Sequence, residues 1–289
     1  MTYRRIQRSG ACGRFDAQKG DEVVTNQCRR GIPTTLVRMQ SRLRTLCVLP
    51  LAVLLAGCGA GARAIRDQPS PVAAHCRSGS IHTVGSRSVA VAAVVRTRAA
   101  AYRRPGRRPF ARFGRLNANR YPTFFRVLAA VRRHDCSASW YRVQLPLRPN
   151  GVTGFVRAAR VRVGTVPTRI VVDVSARRLT LYRSGRPVLS TPVAVGSSAT
   201  PTPTGSYYVN QRLIPADASG PYGPAALGIS AFSNVLTGWT QGGPVAIHGT
   251  NEPWSIGHAV SNGCVRVRNR VLRRVFAAAP AGTPVLIRQ

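Results

Sequence analysis

Two residues near the C-terminus of this 289-residue chain carry the parts of a thiol nucleophile. His248 closes the apolar run Val245-Ala246-Ile247 and precedes Gly249-Thr250, which puts it at a strand end. Cys264 lies in Ser261-Asn262-Gly263-Cys264-Val265-Arg266-Val267, where Gly263 permits a tight turn and close backbone approach. A cysteine attacks a carbonyl as its thiolate. An imidazole that accepts the thiol proton, or pairs with the thiolate, is the partner such a reaction needs. Taken singly, each residue has a plainer reading: a satisfied strand-end histidine and a buried structural cysteine.

The elements that must position this pair are mostly extended. Ile170-Val171-Val172-Asp173-Val174 and Arg178-Leu179-Thr180-Leu181-Tyr182 alternate apolar and polar residues across a turn, and Pro187–Val195 follows after Ser184-Gly185. Extended segments continue at Gly205–Gln211 and Pro244–His248. Val271, Leu272, Val275 and Phe276 fall at helical spacing in Arg270–Ala279, and Val285–Ile287 supplies a last short strand. Upstream, residues 86–165 hold short β-branched runs broken at Pro105-Gly106 and Pro149-Asn150-Gly151, the pattern of a small β domain. The fold class is mainly β with short helices, and the domain boundary falls near residue 165.

The chain carries 43 Lys+Arg against 8 Asp+Glu, a formal charge of +35, with Lys19 its only lysine. Such a charge attracts polyanions of any kind. The arginines are scattered, with no basic helix or zinc-finger spacing, so nucleic acid is not the expected partner. An anionic cell envelope attracts the same chain. Residues 42–58 read as a secretory signal, with basic Arg42 and Arg44, a short apolar stretch and closing small residues. Residues 1–38, upstream of Met39, are polar and irregular and read as a misassigned start, with a cytoplasmic tail as the alternative. Within 58–85 the Ala/Gly/Ser/Pro-rich composition indicates a tether. Of the cysteines beyond the signal, Cys76 and Cys136 can pair in an oxidising compartment, leaving Cys264 as a free thiol.

Specific wording narrows these readings. Ala246-Ile247-His248-Gly249-Thr250-Asn251 followed by Ser261-Asn262-Gly263-Cys264-Val265-Arg266 resembles the signature of L,D-transpeptidase catalytic domains, and the resemblance extends over about residues 168–288. Its other carriers are the opening hairpin at 170–188, the loop with Thr202-Pro203-Thr204-Gly205, and the closing strand at 285–287. The resemblance implies an L,D-transpeptidase-type β-sandwich over 166–289, preceded by an SH3-like β domain over 86–165. It also implies Cys264 as nucleophile and His248 as base, the latter oriented by a backbone carbonyl such as that of Gly249. The N–H groups around Gly263 and Cys264 are candidate oxyanion donors. Ser261, Asn262 and Arg266 would support the catalytic loop, with Asn262 alternatively supporting the oxyanion and Arg266 alternatively meeting a substrate carboxylate. Asn262 stands where many relatives carry histidine. Tyr222 and Thr250 are candidate substrate contacts, whereas Tyr208 and Trp239 fit the core as well as a groove.

By the same resemblance, the reaction is acyl transfer between peptidoglycan stem peptides with release of D-alanine, forming 3→3 cross-links, and carbapenem-type β-lactams would acylate Cys264. An L,D-carboxypeptidase or other peptidoglycan peptidase needs the same two residues, and a non-catalytic wall-binding lipoprotein is the reading from another class. Leu55-Ala56-Gly57-Cys58 resembles a bacterial lipobox, implying lipidation at Cys58 and a site outside the cytoplasmic membrane. No cofactor is implied. His258 joins His248 and Cys264 without metal-ligand spacing, so no metal is expected.

Overall fold

The computed structural model describes residues 3–5, 76–238 and 243–289. The signal segment, Cys58 and Trp239 lie outside them. The first strand, β1 (Tyr3–Arg5), pairs with a strand much later in the chain. Residues 76–166 then form an eight-stranded sheet. Its members are β2 (Ile81–Thr83), β3 (Ala90–Val95), β4 (Arg98–Tyr102), β5 (Pro109–Gly114), β6 (Phe124–Arg132), β7 (Ala138–Gln144), β8 (Thr153–Arg157) and β9 (Val161–Val166). Every pairing is antiparallel, in the order β5-β4-β8-β7-β6-β3-β9, with β2 also on β6. Period-two alternation turns Ala93, Val95, Ala99, Ala101, Phe125, Val127, Val143, Leu145 and Val156 into one buried cluster.

Cys76 and Cys136 are joined in a disulfide that closes a sequence separation of 60 residues. A cross-link of that span stabilises by about 4 kcal/mol in the loop-closure account. Together with the pairing of β2 on β6, it folds residues 76–85 onto the sheet. Within the stretch expected as a tether, residues 76–85 therefore belong to the sheet, held by a covalent clamp and a paired strand.

The chain crosses to a second sheet at Pro167, between β9 and β10 (Thr168–Asp173). There follow β11 (Arg178–Arg183), β12 (Arg186–Pro192), β13 (Val195–Gly196), β14 (Gly205–Pro215), β15 (Ala226–Phe232), β16 (Pro244–His248), β17 (Ala259–Ser261), β18 (Val265–Arg266), helix α1 (Asn269–Ala278) and β19 (Pro284–Arg288). The large sheet runs β12-β11-β10-β19-β14-β15-β16-β18, while β13 and β17 pair separately. β10 with β19 and β16 with β18 are parallel, as is the β13–β17 pair. Long β14 joins the two halves: Gly205–Tyr208 pair with β19, and Val209–Leu213 with β15. β1 continues this edge at Leu213–Pro215. Residues from both halves, including Ile170, Leu179, Val209, Leu227, Ile247 and Val285, share one apolar cluster.

Helix α1 closes that cluster with Leu272, Val275 and Phe276, which recur at helical spacing and are buried. It lies one residue upstream of the sequence expectation at each end, and Pro280 prevents continuation. Arg212 secures it by stacking on Phe276, 4.2 Å from the ring centroid, and by donating to the Phe276 carbonyl at 2.7 Å.

The two sheets are sewn together by hydrogen bonds. Tyr208, expected either in the core or in a groove, is fully buried and donates from its hydroxyl to the Phe124 carbonyl at 3.0 Å. Gln144 reaches the Ser206 carbonyl at 2.6 Å, and Asn117 and Asn119 both donate to Gln211 Oε1, at 2.8 and 3.0 Å. Asn150 exchanges two bonds with the Phe232 backbone. At Gly282 the approach is closest: φ is +92°, and an added Cβ would lie 2.2 Å from Ala92 Cβ. Gly282→Ala is therefore expected to cost about 1–2 kcal/mol from backbone strain plus about 1–3 kcal/mol from overpacking, read by denaturant unfolding. Ala92→Gly in the same chain should recover the second part and leave the first.

Candidate active site

His248 is the last residue of β16, held between two strands. It lies opposite Ala226 of β15 and in parallel register with Arg266 of β18. The Val267 N–H donates to the His248 carbonyl at 2.8 Å, which fixes the backbone at this point. Cys264 immediately precedes β18, and its Sγ accepts the Ala246 N–H at 3.4 Å, two residues before His248. Parallel pairing of β16 with β18 therefore brings together two residues separated by sixteen positions in sequence.

The imidazole is buried, with 5% of its residue surface exposed. Its Nδ1 lies 2.5 Å from the Gly249 carbonyl oxygen. A carbonyl only accepts, so Nδ1 carries the proton and the neutral ring presents a bare Nε2. The Tyr222 ring sits 4.8 Å away, centroid to centroid, tilted by 51°. Burial pushes the His248 pKa down to about 4; the Gly249 carbonyl opposes that shift, and the positive charge of Arg266 adds to it. Cys264 is half-buried as a residue, yet protein packs closely enough around its sulfur for burial to push the thiol pKa up. The Ala246 N–H and Arg266 pull it the other way. Both groups therefore rest uncharged, as a thiol beside a neutral base, rather than as a standing ion pair.

The Gly249–Thr250 peptide group is gripped from both ends. Its carbonyl accepts from His248, and its N–H donates to Asn269 Oδ1 at 2.8 Å. Asn269 can reach it because the facing positions have no side chain. A Cβ on Gly249 would lie 2.3 Å from Asn269 Oδ1, and one on Gly223 would lie 2.4 Å from it. Thr250 is itself buried, and its hydroxyl accepts the Glu252 N–H at 2.9 Å. Its hydroxyl thus shapes the turn below the base. Glu252 in turn forms an ion pair with Arg266, so that arginine braces the segment after His248 against β18.

Ser261 winds the cysteine loop. Its hydroxyl donates to the Cys264 carbonyl at 2.6 Å and accepts the Gly263 N–H at 3.2 Å. Its own carbonyl accepts from the Ser197 N–H at 2.9 Å and from the Thr200 hydroxyl at 3.0 Å. Gly263 takes φ +103°, which a side chain would strain. The Gly263 N–H, a candidate oxyanion donor, is engaged by Ser261. Asn262 is exposed and makes no hydrogen bond among the described residues, while the bonds that wind the loop run through Ser261. The neighbouring loop is shaped by Thr202, whose buried hydroxyl accepts the Gly196 N–H at 2.7 Å.

Outside this cluster, Asp173 caps the β10–β11 turn through Ser175 and the Ala176 N–H. His258 is exposed, and no group of three His, Cys, Asp or Glu among the described residues could hold a metal ion.

Residues 167–287 match the family described as the YkuD-type L,D-transpeptidase catalytic domain. The putative L,D-transpeptidase YkuD of Bacillus subtilis is 37% identical over 123 residues, spanning 43% of this chain and 67% of that protein. The chain belongs to the L,D-transpeptidase catalytic-domain family. The probable L,D-transpeptidase YbiS of Escherichia coli is 30% identical over 148 residues, spanning 42% of this chain and 44% of that protein. Two solved structures of the Enterococcus faecium L,D-transpeptidase, a cysteine-to-serine mutant and the catalytic domain acylated by ertapenem, are each 27% identical over 42% of this chain. The match covers 49% and 96% of those chains, with a TM-score of 0.33 in both cases. The chain thus spans about half the length of the longer of these two relatives.

Glu252 and Asn269 were missed by sequence reasoning. Neither belongs to a motif with a chemical signature. Asn269 announces itself only as the polar residue opening an apolar-periodic helix.

A buried neutral histidine makes stability depend on acid. Between about pH 6.5 and pH 4 the unfolded chain binds the proton that folded His248 refuses, so stability falls as pH falls through that window. Moving from about pH 7.5 to pH 5 should cost the wild type about 2 kcal/mol that a His248→Gln variant does not lose. Urea unfolding at the two pH values checks this; equal losses in both proteins would contradict it.

Proposed function

We propose that this protein is a peptidoglycan L,D-transpeptidase in which Cys264 is the nucleophile and His248 the general base. The observation that carries the reading is the Nδ1–Gly249 carbonyl bond, which leaves Nε2 of a neutral imidazole as the acceptor on a strand adjoining the cysteine. As Cys264 attacks the donor stem carbonyl, its proton passes to Nε2 and a carbon–sulfur bond forms. Collapse of the tetrahedral intermediate breaks the amide bond to the terminal D-alanine, whose amine takes the proton back. The side-chain amine of a second stem then attacks the thioester, regenerating the thiol and leaving a 3→3 cross-link. Each step uses the same base in alternating roles.

A low imidazole pKa suits both halves of this cycle. At neutral pH the base is unprotonated, and once protonated it is a strong enough acid to assist amine departure. The neutral resting thiol avoids the cost of a buried unpaired charge until substrate arrives. The N–H of Cys264 is the remaining candidate for the oxyanion, since Ser261 engages that of Gly263. Tyr222, beside the base, forms part of the wall against which a stem peptide would lie. The signal-like segment and Cys58 support an exported, lipid-anchored enzyme facing the wall. With water as acceptor the same residues would act as an L,D-carboxypeptidase.

The test uses the purified chain and a labelled tetrapeptide stem, reading D-alanine and products by mass. D-alanine release with cross-linked dimer is expected. Cys264→Ala and His248→Ala should each lower turnover by roughly 10⁴-fold or more. A carbapenem should add its mass to the peptide containing Cys264. Free tripeptide without dimer would assign the carboxypeptidase, and full activity in Cys264→Ala would refute the mechanism.

A further inference from the structure

The excess charge is unevenly spread. Between residues 76 and 166 there are nineteen arginines and one acidic residue, Asp135; between 167 and 289 there are twelve arginines and three acidic residues. Asp135 accepts from the Ser137 hydroxyl and backbone N–H in the β6–β7 turn, and Arg133 lowers its pKa along with those bonds. The first sheet therefore holds no other carboxylate to neutralise its remaining guanidinium groups.

Four of them converge on one cleft of about 550 Å³, lined by Arg98, Arg112, Arg157 and Arg160 with Tyr102 and Phe113. Strand register explains the hollow. In the β4–β5 pair, Arg98 faces Gly114 and Ala100 faces Arg112, so each arginine stands opposite a residue with little or no side chain. The period-two alternation of β4 sends Ala99 and Ala101 into the core and leaves Arg98, Ala100 and Tyr102 on the cleft side. Tyr102 packs edge-to-face on Trp140, and Phe113 on Phe125, which fixes both rings. The Arg157 guanidinium lies 4.8 Å over Trp140. Those of Arg98, Arg112 and Arg160 make no hydrogen bond or ion pair among the described residues.

We propose that this cleft binds an anionic sugar unit of the cell-wall polymer, one bearing a carboxylate or a phosphodiester, and so holds the enzyme on its substrate. Guanidinium forks match either group in bidentate fashion, and crowding four like charges around a small hollow is relieved when an anion enters. The volume suits one or two sugar rings, resting on the small floor of Ala100 and Gly114 beside the fixed ring of Tyr102. A nucleic acid fits less well, because it calls for an extended basic track with rings free to stack on successive bases. The choice of wall polymer rests on the proposed function; the cleft and its charge do not.

The experiment is co-sedimentation of the full chain with purified sacculi, before and after removal of phosphodiester-linked polymers. It compares wild type, a cleft variant (Arg98, Arg112, Arg157 and Arg160 all →Gln) and a charge-matched control (Arg77, Arg104, Arg107 and Arg108 all →Gln). Thermal unfolding of each verifies the fold. The cleft variant should bind at least about tenfold more weakly, with the control close to wild type. Binding that survives phosphodiester removal assigns the carboxylate; binding lost with those polymers assigns the phosphodiester. Equal weakening in both variants would reduce the effect to net charge and overturn the proposal, as would unchanged binding in the cleft variant. Displacement by duplex DNA at equal charge concentration, lost only in the cleft variant, would overturn it in favour of nucleic acid. Acyl transfer on a soluble stem peptide, measured in parallel, should be unaffected in the cleft variant. A wild type that binds sacculi but lacks this activity would refute the proposed reaction and leave the cleft standing.

Discussion

The bond between His248 Nδ1 and the Gly249 carbonyl sets the terms for the rest of the site. His248, at the end of a strand flanked on both sides, is buried, and burial favours its neutral form. Neutral imidazole has two tautomers, only one of which leaves Nε2 bare. The carbonyl next in the chain selects that tautomer without adding a charged group to a dry environment. A carboxylate in this place would raise the imidazole pKa and would itself have to be desolvated. A peptide carbonyl avoids that cost, provided its own plane is held still.

Much of the surrounding structure holds that plane. Asn269 accepts from the N–H of the same peptide group, and can do so because Gly223 and Gly249 leave room for its side chain. Thr250 and Glu252 shape the turn that follows, and Arg266 ties Glu252 to β18. The cysteine is presented by a different device: Ser261 turns the chain upon itself so that the thiol emerges beside the Ala246 N–H. Parallel pairing of β16 and β18 joins the two devices. Neither depends on the arginine-rich first sheet, which meets the second through polar bonds such as Tyr208 to Phe124 and through the tight contact at Gly282.

Much of this was legible in the sequence, and for physical reasons. Strands at 170–173 and 178–183 declare themselves by alternation, that at 244–248 by its apolar run, and α1 by the spacing of Leu272, Val275 and Phe276. His248 and Cys264 stood out because glycines flank them where a turn must tighten. What stayed hidden depends on contacts between distant segments. That Asn269 reaches back nineteen residues to Thr250, or that Arg266 pairs with Glu252, follows from the tertiary path and from no local pattern. Asn262, by contrast, stands exposed beside the nucleophile, outside the bonds that wind its loop. The basic cleft was equally invisible, since scattered arginines converge only when β4, β5 and the end of β8 are laid side by side.

The account stands or falls on the state of one ring. Nitrogen-15 NMR of the histidine-labelled protein, titrated from about pH 8 to pH 4, reads both the tautomer and the protonation of His248 directly. The expected result is a neutral ring protonated at Nδ1 throughout the neutral range, taking up its second proton only near pH 4. A ring protonated at Nε2, or one already cationic near pH 6.5, would contradict it.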